Sequence, residues 1–436
     1  MNMKTRELGI GLLGFGTVGA GVVEGLQRNG ALMAERLGIK LVLRRIADVD
    51  LDRDRGVIVD RALLTRDAEA VIRDPSVDVI VELIGGCGIA KKLMLQALAL
   101  GKPVVTANKA LLAEHGTEIF KAAEAKDAPI HFEASVGGGI PIIKVLREGL
   151  VANNIRSIYG ILNGTCNYIL TRMEQEKLAF DIVLKAAQAA GYAEAEPGLD
   201  IDGHDTAHKA VILASLAYGF PVPQSAAHVE GIRGLAMDDL VNALAMGYRI
   251  KLLGIVKYSA EGISVRVQPT LVPLAHMLAS VRGVFNAIQV DGDIVGQTLY
   301  YGRGAGRTAT ASAVLSDLAD VARDFVADVR CKPAIQAAAA QSARLRPIGE
   351  ISTRCYLRLA LPDKPGMLAR VAQVLGDHGI SIASVMQKES SAGKHVPVII
   401  VTHQAPEQQF QRALAAIDRM DIIGAPTVRL RIEDFE

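Results

Sequence analysis

Within the stretch Gly191 to Lys209 the chain carries Glu194, Asp200, Asp202 and Asp205, then Lys209. Asp205 and Lys209 stand four apart at the start of an apolar-periodic helix, which puts carboxylate and ammonium on one face. Alone, such a pair is an ordinary surface ion pair of little consequence. Here a loop with Gly191, Pro197 and Gly198 delivers four carboxylates to one helix start, where they repel one another unless a cation is expected there. The ammonium group of an amino acid is such a cation. His204 and His208 imitate the histidine spacing of zinc helices, but Asp205 stands where that motif has glutamate and no third ligand is evident. They read as polar lining or surface groups.

The second constellation is Gly14-Phe15-Gly16-Thr17-Val18-Gly19, which follows an apolar strand, Leu8–Leu13, and opens a helical pattern. Glycines there permit a tight turn and let backbone N–H groups approach a pyrophosphate at a helix N-terminus. A second strand ends at Asp48, whose carboxylate suits the ribose of NAD, whereas Arg44, Arg45, Arg53 and Arg55 suit the 2′-phosphate of NADP. The residues leave the choice between NAD and NADP open.

These groups need elements to hold them. Up to about residue 150, short apolar runs alternate with helical patterns, which predicts an α/β fold with a doubly wound parallel sheet of Rossmann type. Residues 151–308 read as a mixed α+β catalytic and dimerisation domain, and an Ala-rich helix, about 309–333, is expected to pack back on the front domain. A linker is expected over 334–350. From 351 to 436 the pattern is strand, helix, strand, hairpin at 389–394, strand, helix, strand, the βαββαβ order of a ferredoxin-like domain. That domain is expected to bury its own core and to be removable without opening the rest.

Composition agrees with small-molecule chemistry. The chain has 436 residues, 50% of them hydrophobic, and a formal charge of +1, so no excess charge of either sign invites nucleic acid or an anionic membrane. Cys87, Cys166, Cys331 and Cys355 show no CxxC spacing and suit free thiols in a reducing cytoplasm. Lys4 and Arg6 before the apolar run Leu8–Val18 imitate a signal peptide, but the glycines in that run weaken a secretory helix. A cytoplasmic location is expected, without a membrane span.

Ala187 to Lys209 resembles the homoserine dehydrogenase signature in its A-x3-G start, the spacing of Pro197 and Asp200, and the G-x-D-x3-K of Gly203, Asp205 and Lys209. Thr106 to Lys109, Glu133 to Pro141, Gly160 to Tyr168 and Tyr301 to Gly306 are similar to the same family. The match departs from the family pattern at Cys166, where threonine is commoner, and at Cys87. Asp363-Lys364-Pro365-Gly366, between the first strand and first helix of the tail, resembles an ACT domain.

The resemblance implies NAD(P)H-dependent reduction of L-aspartate 4-semialdehyde to L-homoserine. It implies Lys109 and Lys209 at the reacting oxygen with Asp205 positioning Lys209, and Glu194, Asp200, Asp205, Asn163 and Thr165 holding substrate. Around the cofactor it implies the Gly14–Gly19 loop, Asp48, Arg53, Thr106, Lys109 and Gly302. It further implies a sodium or potassium ion on the carbonyls of Glu133, Val136, Gly138 and Ile140. L-threonine is the implied effector, at Asp363, Pro365 and Gly366, and the implied assembly is a homodimer or homotetramer. Two rivals remain. Another two-domain dehydrogenase lacks the Glu194–Lys209 constellation, and a non-catalytic amino-acid sensor has no use for intact Lys109, Asp205 and Lys209.

Overall fold

The computed structural model describes residues 6–329, 335, 343–387 and 395–435. Cys331, the hairpin 389–394 and linker residues 334 and 336–342 lie outside the described residues. The chain forms two compact units that do not follow chain order. One comprises residues 1–164, 205–227 and 284–343, the other 165–204, 228–283 and 344–436.

The first unit contains a parallel sheet in the order Leu64–Thr65, Lys40–Ala47, Glu7–Leu13, Val79–Glu82, Val104–Thr106, Ile130–His131. This is the 3-2-1-4-5-6 order of dinucleotide-binding folds. Its central strands are apolar on both faces because helices cover both: Leu8, Ile10 and Leu12 pack in one buried cluster, Leu13, Ile80 and Val104 in another. The helix Arg307–Ala327 contributes Ala311, Val314 and Leu318 to the first cluster. It lies so close to the helix Thr17–Leu37 that a Cβ on Gly21 would stand 2.6 Å from the Arg307 carbonyl oxygen. The same unit holds the antiparallel strands Ile155–Ile161, Phe285–Gly292 and Gly296–Arg303.

In the second unit a hairpin, Tyr248–Ser259 and Gly262–Pro273, turns through Ala260 and Glu261. Its second strand pairs in parallel with the chain's last strand, Val428–Ile432, at Thr270 and Leu271. Beyond that strand come Ser352–Leu361, Val396–Thr402 and Ile382–Gln387, all antiparallel, with the helices Met367–Asp377 and Glu407–Ile417. This is the ferredoxin-like tail, and Leu357, Leu359, Val371, Leu375 and Phe410 are buried in its core.

The expectation that this tail lifts away cleanly needs correction. Besides the strand pairing, Arg431, only 1% exposed, donates to Glu230 at 2.6 and 2.9 Å and to Glu407 at 2.6 and 3.1 Å. Asp239, fully buried, accepts from Arg358 at 2.6 and 3.0 Å and from the Tyr356 hydroxyl at 3.1 Å. Glu230 and Asp239 precede the tail in the chain. Cutting it off would remove the cations that compensate the buried Asp239 and the partly exposed Glu230, a cost that packing within the tail does not offset.

Candidate active site

At the glycine loop, Gly14 has φ +94 and a Cβ there would lie 2.6 Å from the Leu83 carbonyl, so only glycine fits. Gly19 is excluded from change differently: its Cβ would stand 2.3 Å from the Gly14 oxygen, which brings helix close to strand. Gly16 faces open space and begins the helix Thr17–Leu37, whose first turn has neither a side-chain cap nor an acidic residue. Thr17 and Val18 are the first helical residues. Free N–H groups at this end form a site for an anion.

Asp48 is already engaged. It accepts from the Phe15 N–H at 2.6 Å and from the buried Arg55 at 3.1 Å, while Arg55 also donates to the carbonyls of Phe15 and Asp50 and stacks on the Phe15 ring. Arg53 is exposed and donates its backbone N–H to Asp50. Of the four arginines near this strand, Arg55 therefore acts on the loop. Thr106 is buried and donates to Glu82 at 2.7 Å. Its hydroxyl also accepts from Asn108 N–H at 3.0 Å, and Asn108 caps the helix Lys109–Lys126 through Leu111 N–H at 3.2 Å. Thr106 thereby fixes the helix start from which Lys109 projects.

The lysines meet on one carboxylate. Asp205 Oδ1 lies 3.2 Å from Lys109 Nζ, and Oδ2 lies 2.7 Å from Lys209 Nζ. Asn163 Nδ2 also donates to Oδ2 at 2.9 Å. Burial alone would raise the Asp205 carboxyl's pKa. The charges of Lys209 and Lys109 and the bonds from Lys209 and Asn163 outweigh that and hold it well below the usual carboxylate range. Lys209 is 9% exposed and gives a second N–H to the Leu162 carbonyl at 2.7 Å. An ammonium has three donors, so one remains for a ligand. Asn286 donates to the same carbonyl at 3.0 Å, a contact no sequence spacing announced.

The segment 133–140 turns through Gly137 and Gly138, both at positive φ. A Cβ on Gly138 would lie 2.4 Å from the Gly304 oxygen, and Gly302 is likewise close to Ile140. The Glu133 side chain, buried, accepts from Ile143 and Lys144 N–H at 2.9 and 2.8 Å, and its own N–H donates to Asp317. Burial pushes the Glu133 carboxyl up to about 7 and the Asp317 carboxyl well above its usual value, the latter aided by Glu133 itself. Asp317 and the neighbouring buried His131, whose pKa burial lowers to about 4, escaped the sequence analysis. An aspartate in an Ala-rich helix was the available signal.

In the second unit, Thr165 donates to the Tyr192 carbonyl at 2.7 Å, and the Asp200 carbonyl accepts from Cys166 Sγ at 3.2 Å. Glu194 is exposed and its carboxylate has no partner among the described residues. Asp202 is held by Arg233 at 2.8 and 2.9 Å. The expected crowd of four unmatched carboxylates is thus corrected: Arg233 and Lys109, both distant in sequence, supply cations to two of them. Among the tail residues, Asp363 accepts from Gln387 at 3.2 Å, and Gly366, at φ +84, begins the helix Met367–Asp377 without a side-chain cap. Pro365 is exposed beside it.

Comparison with known proteins bears on all three parts. Residues 14–133 match the homoserine dehydrogenase NAD binding domain, residues 141–319 the homoserine dehydrogenase domain, and residues 356–419 the ACT domain. A homoserine dehydrogenase of Neisseria gonorrhoeae is 45% identical, with 99% of each chain covered. The crystal structure of a homoserine dehydrogenase from Thiobacillus denitrificans is similar at a TM-score of 0.94 and 45% identity, covering 98% of this chain and 99% of that one. A hyperthermophilic archaeal homoserine dehydrogenase in complex with NADPH matches 72% of this chain and 97% of its own, at 27% identity and a TM-score of 0.62. The chain is accordingly an NAD(P)-dependent oxidoreductase acting on a CH–OH group. Within that class, the chain belongs to the homoserine dehydrogenase family and carries a C-terminal ACT domain.

Proposed function

We propose that the two lysines on Asp205 are the proton and charge machinery for reducing L-aspartate 4-semialdehyde to L-homoserine, and that this shared carboxylate is the observation that carries the assignment. Residues 1–150 hold the cofactor, 151–308 catalyse and dimerise, and 351–436 regulate. The reduced nicotinamide supplies a hydride. As the carbonyl oxygen gains charge, the remaining N–H of Lys209 and the ammonium of Lys109 donate to it, already oriented by Asp205. Lys109, its side chain 33% exposed, is the lysine that regains a proton from water. The pyrophosphate lies on the Gly14–Gly19 loop. Arg55 neutralises Asp48 and so leaves room for a 2′-phosphate, which supports NADPH alongside NADH.

Glu194 and Asp200, with Thr165 and Asn163, take the amino-acid end of the substrate. Glu194→Ala is expected to raise the KM for homoserine at least about tenfold with little change in kcat, because a charge-assisted bond to the ammonium is present in ground and transition states alike. Steady-state kinetics in the homoserine-oxidising direction checks this; an unchanged KM removes Glu194 from the substrate site.

The Gly137–Gly138 turn is compatible with a sodium or potassium ion on the carbonyls of Glu133, Val136, Gly138 and Ile140. The protein acts in the cytoplasm as a homodimer or homotetramer; no helix among the described residues is long and apolar enough to cross a membrane. L-threonine binds at the Asp363–Gly366 turn, its carboxylate meeting the free N–H groups of the helix start and its ammonium meeting Asp363.

One assay tests the whole reading: initial rates with aspartate semialdehyde and NADPH or NADH across a threonine titration. Oxidation of neither cofactor would defeat it. Threonine inhibition in the parent and a shift of at least about tenfold to higher threonine in Asp363→Ala are expected; coincident curves would place the effector elsewhere.

A further inference from the structure

The edge of the strand Gly262–Pro273 away from its hairpin partner is met at Val267 by the N–H of Glu230, and toward both ends by chain from the far end of the sequence. At Ile263 it exchanges backbone hydrogen bonds with Arg344 and Arg346 at 2.8 and 2.7 Å, and at Thr270 and Leu271 it pairs with Val428–Ile432. Arg266 falls between these attachments. Beside it is a cavity of about 300 Å³ lined by Lys257, Arg266, Arg346 and Arg354 against two carboxylates, Glu433 and Asp434. Lys257 takes Glu433 at 2.6 Å and Arg354 takes Asp434 at 2.8 Å, which leaves Arg266 and Arg346 with only long carboxylate contacts among the described residues. Arg346 donates to Ser259 Oγ at 3.0 Å and to the Glu350 carbonyl at 2.9 Å, and among the described residues it reaches a carboxylate at 3.4 Å, the Glu261 side chain.

Arg266 is the informative residue. It is 2% exposed, its one carboxylate contact is long, 3.4 Å to Glu433, and its Nε and Nη1 have no acceptor among the described residues. The Nε of Arg346 is likewise without one. A buried guanidinium left in that state is costly, and a buried charge persists when a partner of opposite sign completes it. Water alone satisfies donors but not the excess charge.

We propose that this cavity binds a small multiply charged oxyanion, of phosphate or polycarboxylate type, on Arg266 and Arg346. At about 30 Å³ per water the volume matches roughly ten waters, enough for an anion of that size. The site is distinct from the effector turn, because the cavity lies at residues 351–354 and the turn at the other end of the strand Ser352–Leu361, about 30 Å along at 3.3 Å per residue. An anion there joins the hairpin strand, the chain at 344–346 and the strands of the ACT domain, and so favours the docked tail.

The test uses the full-length protein in chloride of constant ionic strength, titrated with inorganic phosphate and with citrate by isothermal calorimetry, together with melting temperatures. At least one anion is expected to bind at sub-millimolar concentration and raise the melting temperature. The difference between the two separates phosphate from polycarboxylate recognition. Arg266→Met and Arg346→Gln are each expected to weaken binding at least tenfold; should Arg266→Met fail to fold, the more accessible Arg346→Gln decides. Binding of neither anion above the chloride control, or equal binding by parent and Arg346→Gln, overturns the proposal.

Discussion

Lys209→Met is expected to lower turnover by at least about a hundredfold while cofactor affinity, followed by nicotinamide fluorescence, stays within a few-fold of the parent. Removing one preorganised donor to a developing oxyanion costs about 10²–10³, and Lys209 also holds the geometry through two bonds, to Leu162 and Asp205. Methionine keeps the length of the side chain and leaves the methylenes packed. What it removes is the third N–H, the one free to meet the substrate oxygen. Asp205 keeps Lys109 and Asn163, so its carboxylate remains compensated and the fold should survive. Because the lost interaction is made chiefly in the transition state, kcat and kcat/KM should fall together. Near-normal turnover would remove Lys209 from the chemistry, and loss of cofactor binding would mean that the substitution acts through structure.

Arg431→Met is expected to destabilise the protein by about 3–5 kcal/mol, the cost of breaking a buried ion pair by deleting one partner. Two carboxylates depend on it. Burial would raise the Glu230 carboxyl, but the bonds from His228 and Arg431 hold it far below the usual range. With a folded pKa beneath the unfolded one, Glu230 stabilises the fold above the ordinary glutamate pKa and loses that contribution as pH falls toward its folded value. Without Arg431 much of the pKa depression should vanish, so the variant should lose less stability on acidification than the parent. Denaturant melts at pH 7 and pH 4 measure both effects. A variant as stable as the parent at pH 7 would show that Arg429 carries the network alone.

Much of this was legible in the residues. The dinucleotide sheet follows from glycines at positions where a side chain has no room, and the ferredoxin-like order follows from alternation in the tail. The ion pair of Asp205 and Lys209 follows from one helical turn. What escaped has a common cause, which is that partners distant in sequence carry no spacing. Nothing near Asp202 names Arg233, and nothing near Asp48 selects Arg55 from four arginines. The Glu133 side chain was hidden behind its carbonyl: the segment 133–140 draws attention to its backbone, whereas the buried carboxyl organises the turn that follows. Compactness escaped as well, since residues 205–227 and 284–343 return to the front unit, the latter through the pairing of Phe285–Gly292 with Ile155–Ile161 and the packing of the helix Arg307–Ala327, and no boundary in the sequence marks this.

The pairing of Gly262–Pro273 with the chain's last strand also bears on how the protein is made. A nascent chain that has reached residue 273 has a hairpin whose outer edge is covered at Val267 by Glu230, while the segments that cover its two ends, 344–346 and 428–432, have not yet been translated. At 5–20 residues per second the wait for residue 428 is on the order of ten to thirty seconds. The unpaired ends of this edge, which include Ile263, Leu271 and Val272, all buried in the finished fold, invite intermolecular pairing for that time. Ribosome stalling or premature termination within the final strand would therefore yield an aggregating polypeptide rather than a merely unregulated enzyme.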